Sequence, residues 1–132
     1  MKYPDWQKRL INELQAAKKR PFLWGEHDCA LFAADCVKSM CGEDYAALYR
    51  GTYNSETGAK KALLKNHGSL EKALSDYLDE IPVKLAQRGD VAIIENNGRR
   101  CAGIIWSGGV CAAGVNGLVL IKTKPLSVWR IR

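Results

Sequence analysis

The sequence predicts an α+β fold in which helices come first and an antiparallel sheet follows. Residues 5–79 place apolar side chains at the three- and four-residue spacing of helices. Residues 89–131 instead contain short apolar runs separated by turns that contain Gly, as strands do. Helical segments followed by strand segments are typical of this class. We therefore expect one domain over 1–132, with a helical half at 5–80 and a β half at 88–132.

The first two predicted helices have clear boundary signals. Apolar residues recur at helical spacing over 5–19, and Asp5 is placed to be the N-cap. The second helix is predicted over 28–41, with Asp28 as its N-cap and Gly42 as its C-terminal stop.

Two further helices follow a less regular segment. Residues 45–53 are predicted to form a helical turn and then a loop. Ser55 can cap a helix over 56–67, and Ser69 can start another that runs to Asp79. The residues of the first of these two helices expected to face inward are Ala59, Ala62, Leu63 and Asn66.

The β half is predicted to be a meander of short strands. Asn97-Gly98 is the strongest hairpin signal in the chain, because both residues tolerate the positive φ of a two-residue turn. Gly108-Gly109 and Asn116-Gly117 predict two more turns. The predicted strands cover residues 89–94, 101–106, 110–113, 118–122 and 127–131.

Composition argues against several classes of protein. No stretch approaches the ~18 consecutive apolar residues of a membrane helix, and the charged start does not resemble a secretory signal. We therefore expect synthesis in a cytoplasm and no membrane partner. The formal net charge of +6 favours anionic partners. Nucleic acid is not expected among them, because the basic residues are scattered and aromatic residues do not alternate with them.

The five cysteines are predicted to be reduced thiols, because their number is odd and no CxxC spacing occurs. Three lie among apolar neighbours and are expected in the core, namely Cys36, Cys101 and Cys111. A metal site built from His27, Cys29, Cys36 and Cys41 is not expected, since Cys29 and Cys36 are two helical turns apart.

Cys29 is the residue in the sequence best placed for chemistry. It falls at the first position of the second helix, where backbone N–H groups and the helix dipole favour an anion. A thiol there can be an activated nucleophile, or simply a buried thiol at a helix start. Asp28 is expected to be the cap and to align the amides near Cys29 as an oxyanion site. His27 is either a proton acceptor for Cys29 or a residue that hydrogen-bonds the helix start, and His67 is expected at the surface.

Several segments resemble the NlpC-type cell-wall peptidases. Trp24-Gly25, followed by DCALF at 28–32, resembles that family's WG…DCSGLV signature. GDVAII at 89–94 resembles its GDLVFF strand. CAGII at 101–105, followed by Gly108-Gly109, resembles its HVGIYLG strand.

The chain is also similar to a group of short NlpC-like proteins found in phage and prophage tail gene clusters. The shared features are an RGxY segment at 50–53, GLV at 117–119 and the ending Trp129-Arg130. This likeness covers most of residues 20–132.

The resemblance implies a papain-like, NlpC-type fold, with the N-terminal helices packed on the C-terminal sheet. It also implies hydrolysis of amide bonds in the stem peptides of peptidoglycan. Cys29 matches the family's nucleophile. Cys101 matches the general-base His, which is a departure, because a thiol ordinarily titrates above neutral pH. The candidate catalytic residues are Cys29, His27 and Asp28, and the candidates for the groove and oxyanion site are Trp24, Ala30 and Cys101.

The resemblance implies partners as well. Peptidoglycan or another anionic cell-wall polymer would be the substrate, other phage tail proteins would be neighbours, and no cofactor or metal is expected. The protein would be made in the bacterial cytoplasm without a signal peptide and then incorporated into the virion tail. Because Cys101 replaces the family's His, a catalytically degenerate structural or assembly component of the tail is an alternative. Small size and basic charge also allow an immunity or toxin-type binding module.

Overall fold

The computed structural model describes residues 1–132 and contains four α-helices, one 3₁₀ helix and six β-strands. The α-helices are α1 (Trp6–Ala17), α2 (Cys29–Cys41), α3 (Glu56–Asn66) and α4 (Leu70–Tyr77). The strands are β1 (Asp79–Ile81), β2 (Val91–Asn96), β3 (Arg99–Trp106), β4 (Gly109–Gly114), β5 (Gly117–Ile121) and β6 (Ser127–Arg130), and the 3₁₀ helix is Val83–Leu85. The fold is therefore α+β, as predicted.

Side-chain caps define the starts of three helices, as the sequence predicted. Asp28, Ser55 and Ser69 each accept a hydrogen bond from a backbone N–H in the first turn of α2, α3 and α4. Such a cap contributes about 1 kcal/mol. Asp5 is the exception, because its carboxylate makes no cap bond and instead accepts from Arg9 Nε at 2.8 Å.

All six strands form one antiparallel sheet with the order β1-β6-β2-β3-β4-β5. Strands β2 to β5 follow the predicted meander. The last strand departs from it, because β6 returns across the sheet and pairs with both β2 and β1. Strand β1 was not predicted; it occupies Asp79–Ile81, where the fourth helix was expected to end, and α4 ends earlier, at Tyr77.

The tight turns lie close to their predicted positions. Asn97 and Gly98 both have positive φ between β2 and β3, as expected for a two-residue hairpin. The next turn is made by Ser107 and Gly108, one residue earlier than predicted, and Gly109 already belongs to β4.

The main core lies between the sheet and the first two helices. Sixteen buried residues form it, among them Leu10 and Leu14 of α1, Phe32 and Met40 of α2, and Trp129 of β6. Helices α3 and α4 contribute no fully buried residue.

The expected inward face of α3 is confirmed in part. Ala62 and Leu63 are half-buried and pack against a small cluster around Leu31 and Tyr49. Ala59 and Leu63 also border a cavity, and Asn66 is exposed.

None of the helices is long and apolar enough to cross a lipid bilayer.

Candidate functional site

The N-terminus of α2 is held by the carboxylate of Asp28. Its Oδ1 accepts the Leu31 N–H at 3.0 Å, while Oδ2 accepts the Gly25 N–H at 3.1 Å and the Tyr53 hydroxyl at 2.6 Å. Asp28 is only 1% exposed, so these three bonds replace the water that a carboxylate would otherwise bind. The predicted cap is therefore also the anchor of the loop that leads into α2.

Two of the quoted sequence segments meet at this anchor. Gly51 donates its N–H to the carbonyl oxygen of Gly25 at 2.9 Å, and Tyr53 reaches Asp28. At Gly25, φ is +82°, and a Cβ there would lie 2.0 Å from the Tyr53 carbonyl oxygen. Only glycine fits this close approach. The segment at 50–53 therefore supports the start of α2, a role that the sequence alone did not reveal.

Cys29 lies where β3 and β4 separate. The two strands pair only from Ile104 to Trp106 of β3, so the first half of β3 runs past the end of this ladder. The Cys29 Sγ lies 4.0 Å from the carbonyl oxygen of Ala113 on β4, a long contact for a thiol donor. Cys101 of β3 lines the same cavity, and its thiol interacts electrostatically with that of Cys29. The Cys29 thiol therefore lies near both β3 and β4.

The interaction between the two thiols changes the pKa of each. It lowers the pKa of Cys101 to about 7, and nearby Arg99 acts in the same direction. The same interaction, together with burial, raises the pKa of Cys29. The two thiols therefore titrate as a pair in which Cys101 loses its proton before Cys29 does.

Cys101 was expected to be a core thiol, and this is confirmed only in part. It packs against the smaller buried cluster that contains Ile94 and Val110, but it is partly exposed and also lines the cavity. Cys36 and Cys111 are buried as predicted.

A cavity of about 810 Å³ opens beside the two thiols. Hydrophobic residues make up 27 of the 35 that line it, so it is predominantly apolar. Native interiors rarely contain voids much larger than a water molecule, and a cavity of this size is therefore suited to a ligand. Five of the predicted site residues line it: Trp24, Asp28, Cys29, Ala30 and Cys101.

One side of the cavity is bounded by α3 and α4, which are tied to β3 by ion pairs. Arg99 Nη1 lies 3.2 Å from the carboxylate of Glu56 on α3, and Arg100 pairs with Glu71 on α4. Both arginine side chains are more than half exposed, so each pair contributes at most about 1 kcal/mol.

His27 does not lie among the residues that line the cavity. Its ring is 2% exposed and packs edge-on against Phe32, with a centroid distance of 5.8 Å. Neither ring nitrogen has a hydrogen-bond partner, and burial followed by the charge of Arg20 lowers the pKa of the ring. The structure therefore brings Cys29 and Asp28 together but does not bring His27 to the same cavity.

His67 is also placed differently from its prediction. It was expected at the surface, yet its side chain is only 7% exposed. Its Nδ1 bonds the hydroxyl of Tyr49, and its Nε2 lies 3.2 Å from the hydroxyl of Tyr77. The two tyrosines cover the ring, and both of them line the cavity. The sequence carried no local signal for this cluster.

No group of three or more His, Cys, Asp or Glu side chains is arranged to hold a metal ion.

The comparison with known proteins gives a family but no activity. No curated protein matches the chain. Residues 1–131 match the family described as "Domain of unknown function (DUF6950)". Because this match covers nearly the whole sequence, the chain belongs to the DUF6950 family.

Proposed function

We propose that this protein is an NlpC-like, papain-type domain that hydrolyses amide bonds of peptidoglycan stem peptides, with Cys29 as the nucleophile. The observation that carries the proposal is that Cys29 and Cys101, from different elements of the fold, line the same cavity. Cys29 opens α2 and Cys101 lies on β3, and these are the two positions at which the resemblance puts the nucleophile and the general base.

Cys101 takes the part of the missing imidazole in this proposal. Its pKa of about 7 is close to the ~6.5 of an ordinary histidine, so it is a thiolate near neutral pH and can accept a proton. It accepts the proton of the Cys29 thiol, and the Cys29 thiolate then attacks the carbonyl carbon of the substrate. Cys101 next returns this proton to the leaving amine, which completes the formation of a thioester on Cys29.

Water completes the cycle. Cys101 accepts a proton from the water that attacks the thioester, the acid is released, and Cys29 regains its proton from Cys101. The backbone N–H groups at the start of α2, which Asp28 holds in place, face the oxyanion. The first proton transfer is uphill, because the pKa of Cys29 is raised. We therefore expect a slower enzyme than one with a histidine at position 101.

The proposed setting is the tail of a phage, with peptidoglycan or another anionic cell-wall polymer as the substrate. The net charge of +6 supports an anionic polymer as a partner. The similarity to tail-cluster proteins supports the setting, with other tail proteins as neighbours and incorporation into the virion.

The test is the loss of turbidity of purified peptidoglycan. We expect activity in the wild type and none in Cys29→Ala, while Cys41→Ala is the matched control, because Cys41 is a partly exposed thiol at the other end of α2. Cys101→His is expected to increase the rate, since it supplies an imidazole at the base position. If wild type and Cys29→Ala clear peptidoglycan equally, the hydrolase proposal fails.

A second candidate function is a catalytically degenerate structural component of the tail. The observation in its favour is that neither histidine lines the cavity, so no imidazole is available to Cys29. Its test is co-purification with neighbouring tail proteins from infected cells, in which Cys29→Ala should assemble like the wild type. A protein that stays a free monomer in the lysate would contradict it.

A further inference from the structure

We propose that the cavity beside Cys29 binds the alkyl chain of an anionic, single-chain amphiphile such as a long-chain fatty acid. The chain lies among the apolar lining residues, and the carboxylate lies at three basic residues of the lining, Lys60, Arg99 and Arg100. This inference goes beyond the proposed hydrolysis and does not require it, because binding involves no reaction at Cys29.

The lining of the cavity favours an alkyl chain over a polar ligand. Helices α2, α3 and α4 all contribute aliphatic side chains to it, among them Ala33, Val37, Leu63, Leu70 and Leu74. Three tyrosines also line it, but their hydroxyls already have partners. The Tyr53 hydroxyl donates to Asp28, whose carboxylate is occupied by its three bonds. The hydroxyls of Tyr49 and Tyr77 hydrogen-bond with the two ring nitrogens of His67. A polar group buried here therefore finds few free partners, whereas CH₂ groups gain free energy by leaving water.

Helices α3 and α4 lack the packing that such a chain supplies. Neither helix contains a fully buried residue. Ala59 and Leu63 of α3 and Leu70 and Leu74 of α4 are half-buried and border the cavity. A void of about 810 Å³ leaves these side chains without contacts on one side, although protein interiors are normally close-packed. A bound alkyl chain fills this space and completes the core under the two helices.

The charged residues of the lining select an anionic head group. Besides the helix cap, they come from two adjacent segments, namely Glu56 and Lys60 at the start of α3, and Arg99 and Arg100 at the start of β3. Arg99 pairs with Glu56, and Arg100 pairs with Glu71. Three cations therefore face two carboxylates, which leaves an excess of one positive charge. Lys60 and both arginines are exposed, so a carboxylate bound there gains a counter-charge and keeps contact with water.

The bound amphiphile also affects the rest of the molecule. Since it binds only the folded protein, it should raise the melting temperature and slow amide hydrogen exchange in α3 and α4. Its chain lies beside Cys29, so it should compete with a stem peptide for the cavity.

The test measures the binding of dodecanoate to the full-length protein by isothermal titration calorimetry, below the critical micelle concentration. We expect one site per chain and a negative heat-capacity change. The affinity should rise about fourfold for each CH₂ group added between octanoate and dodecanoate. Dodecyltrimethylammonium has the same alkyl chain and a cationic head, and it should bind about tenfold more weakly or not at all.

Two variants with matched controls locate the site. Ala73→Trp places a large ring in the cavity and should abolish binding, whereas Ala16→Trp lies at an exposed position of α1 outside the cavity and should bind like the wild type. Lys60→Gln should weaken the binding of dodecanoate about two- to fivefold, and Lys61→Gln, an exposed neighbour that does not line the cavity, should not. Circular dichroism checks the fold of each variant, and the exposed Lys60 keeps the test valid if Ala73→Trp does not fold.

Several results would overturn the proposal. They are the absence of saturable dodecanoate binding, equal affinity for the cationic amphiphile, and unchanged binding in a folded Ala73→Trp. Co-sedimentation with phosphatidylglycerol vesicles without binding of dodecanoate would also overturn it and would indicate a membrane surface instead. A protein that binds dodecanoate but is inactive on peptidoglycan would refute only the hydrolase proposal, and an active protein that does not bind it would refute only the amphiphile site.

Discussion

At the scale of single residues, the site depends on one carboxylate and two sulfurs. Asp28 positions the start of α2 through three buried hydrogen bonds. The interaction between Cys29 and Cys101 moves their pKa values in opposite directions. Neither histidine takes part, so the chemistry available at the cavity is that of thiols.

The first prediction concerns the pH dependence of Cys101. Its rate of alkylation by iodoacetamide should rise with a midpoint near pH 7, below the ~8.5 of a free thiol. Cys29→Ala removes the partner thiol and should shift the midpoint upward. Mass spectrometry of the labelled peptides measures both rates, and an unchanged midpoint in Cys29→Ala would show that the thiols do not interact.

The lowered pKa of Cys101 also makes the stability of the fold depend on pH. The direction of the pKa shift fixes the sign of this dependence. Because folding lowers the pKa of Cys101, its stabilisation is present above the ordinary thiol pKa and is lost as the pH falls through about 7. The raised pKa of Cys29 acts against stability above the ordinary thiol pKa. Urea unfolding at several pH values should therefore show a free energy of unfolding that rises between about pH 7 and ~8.5. Cys29→Ala should lack this rise.

The second prediction concerns Asp28. Asp28→Ala should cost about 2–4 kcal/mol, since it removes a helix cap and leaves two other buried donors without an acceptor. Asp28→Asn keeps one acceptor oxygen and should cost less. Urea denaturation measures both, and a loss below about 1 kcal/mol in Asp28→Ala would contradict the anchoring role.

At the scale of elements, the helices differ in how firmly they are held. Helices α1 and α2 bury apolar side chains against the sheet, whereas α3 and α4 bury none completely and border the cavity. Exposed ion pairs connect α3 and α4 to the start of β3. We therefore expect α3 and α4, which form one wall of the cavity, to be less stable than α1 and α2.

The third prediction follows from this difference. Amide hydrogen exchange should be faster in α3 and α4 than in α2, because local opening costs least where few apolar groups are buried. Raising the salt concentration should increase the difference, since it screens the exposed pairs of Arg99 and Arg100. Equal protection of α2 and α3 would contradict this expectation.

At the scale of the whole molecule, the C-terminal strand β6 lies between β1 and β2 and pairs with both. Arg130 of β6 donates to both carboxylate oxygens of Asp90, at 3.0 and 2.8 Å, just before β2. The carboxylate of Asp90 is 1% exposed and also accepts the Gln87 N–H at 2.8 Å. Two segments that the sequence comparison singled out, the GD before β2 and the WR ending, therefore form one contact, in which Asp90 is buried and Arg130 is partly exposed.

The fourth prediction tests this contact. Arg130→Ala should cost about 1–3 kcal/mol, because it removes two charged hydrogen bonds from a buried carboxylate. Arg132→Ala is the matched control: its pair with Asp79 has both side chains more than half exposed and should cost less than about 1 kcal/mol. Thermal unfolding of the two variants compares them, and similar losses would contradict the assignment.

The sequence by itself determined the features that depend on near neighbours. The starts of α2, α3 and α4 were predictable because Asp28, Ser55 and Ser69 bond backbone amides three residues away. The Asn97-Gly98 hairpin was predictable because it needs only two residues that tolerate positive φ. The position of Cys29 at the first turn of a helix follows from the same local rules.

Only the tertiary structure decided what surrounds Cys29. The interaction of Cys101 with Cys29, the support of Asp28 by Tyr53, and the return of β6 to β1 and β2 all join residues that are distant in sequence. No local pattern encodes such contacts, since they depend on how the elements pack together. For the same reason, His27 lies two residues from Cys29 in the chain and yet does not line the cavity that Cys29 lines.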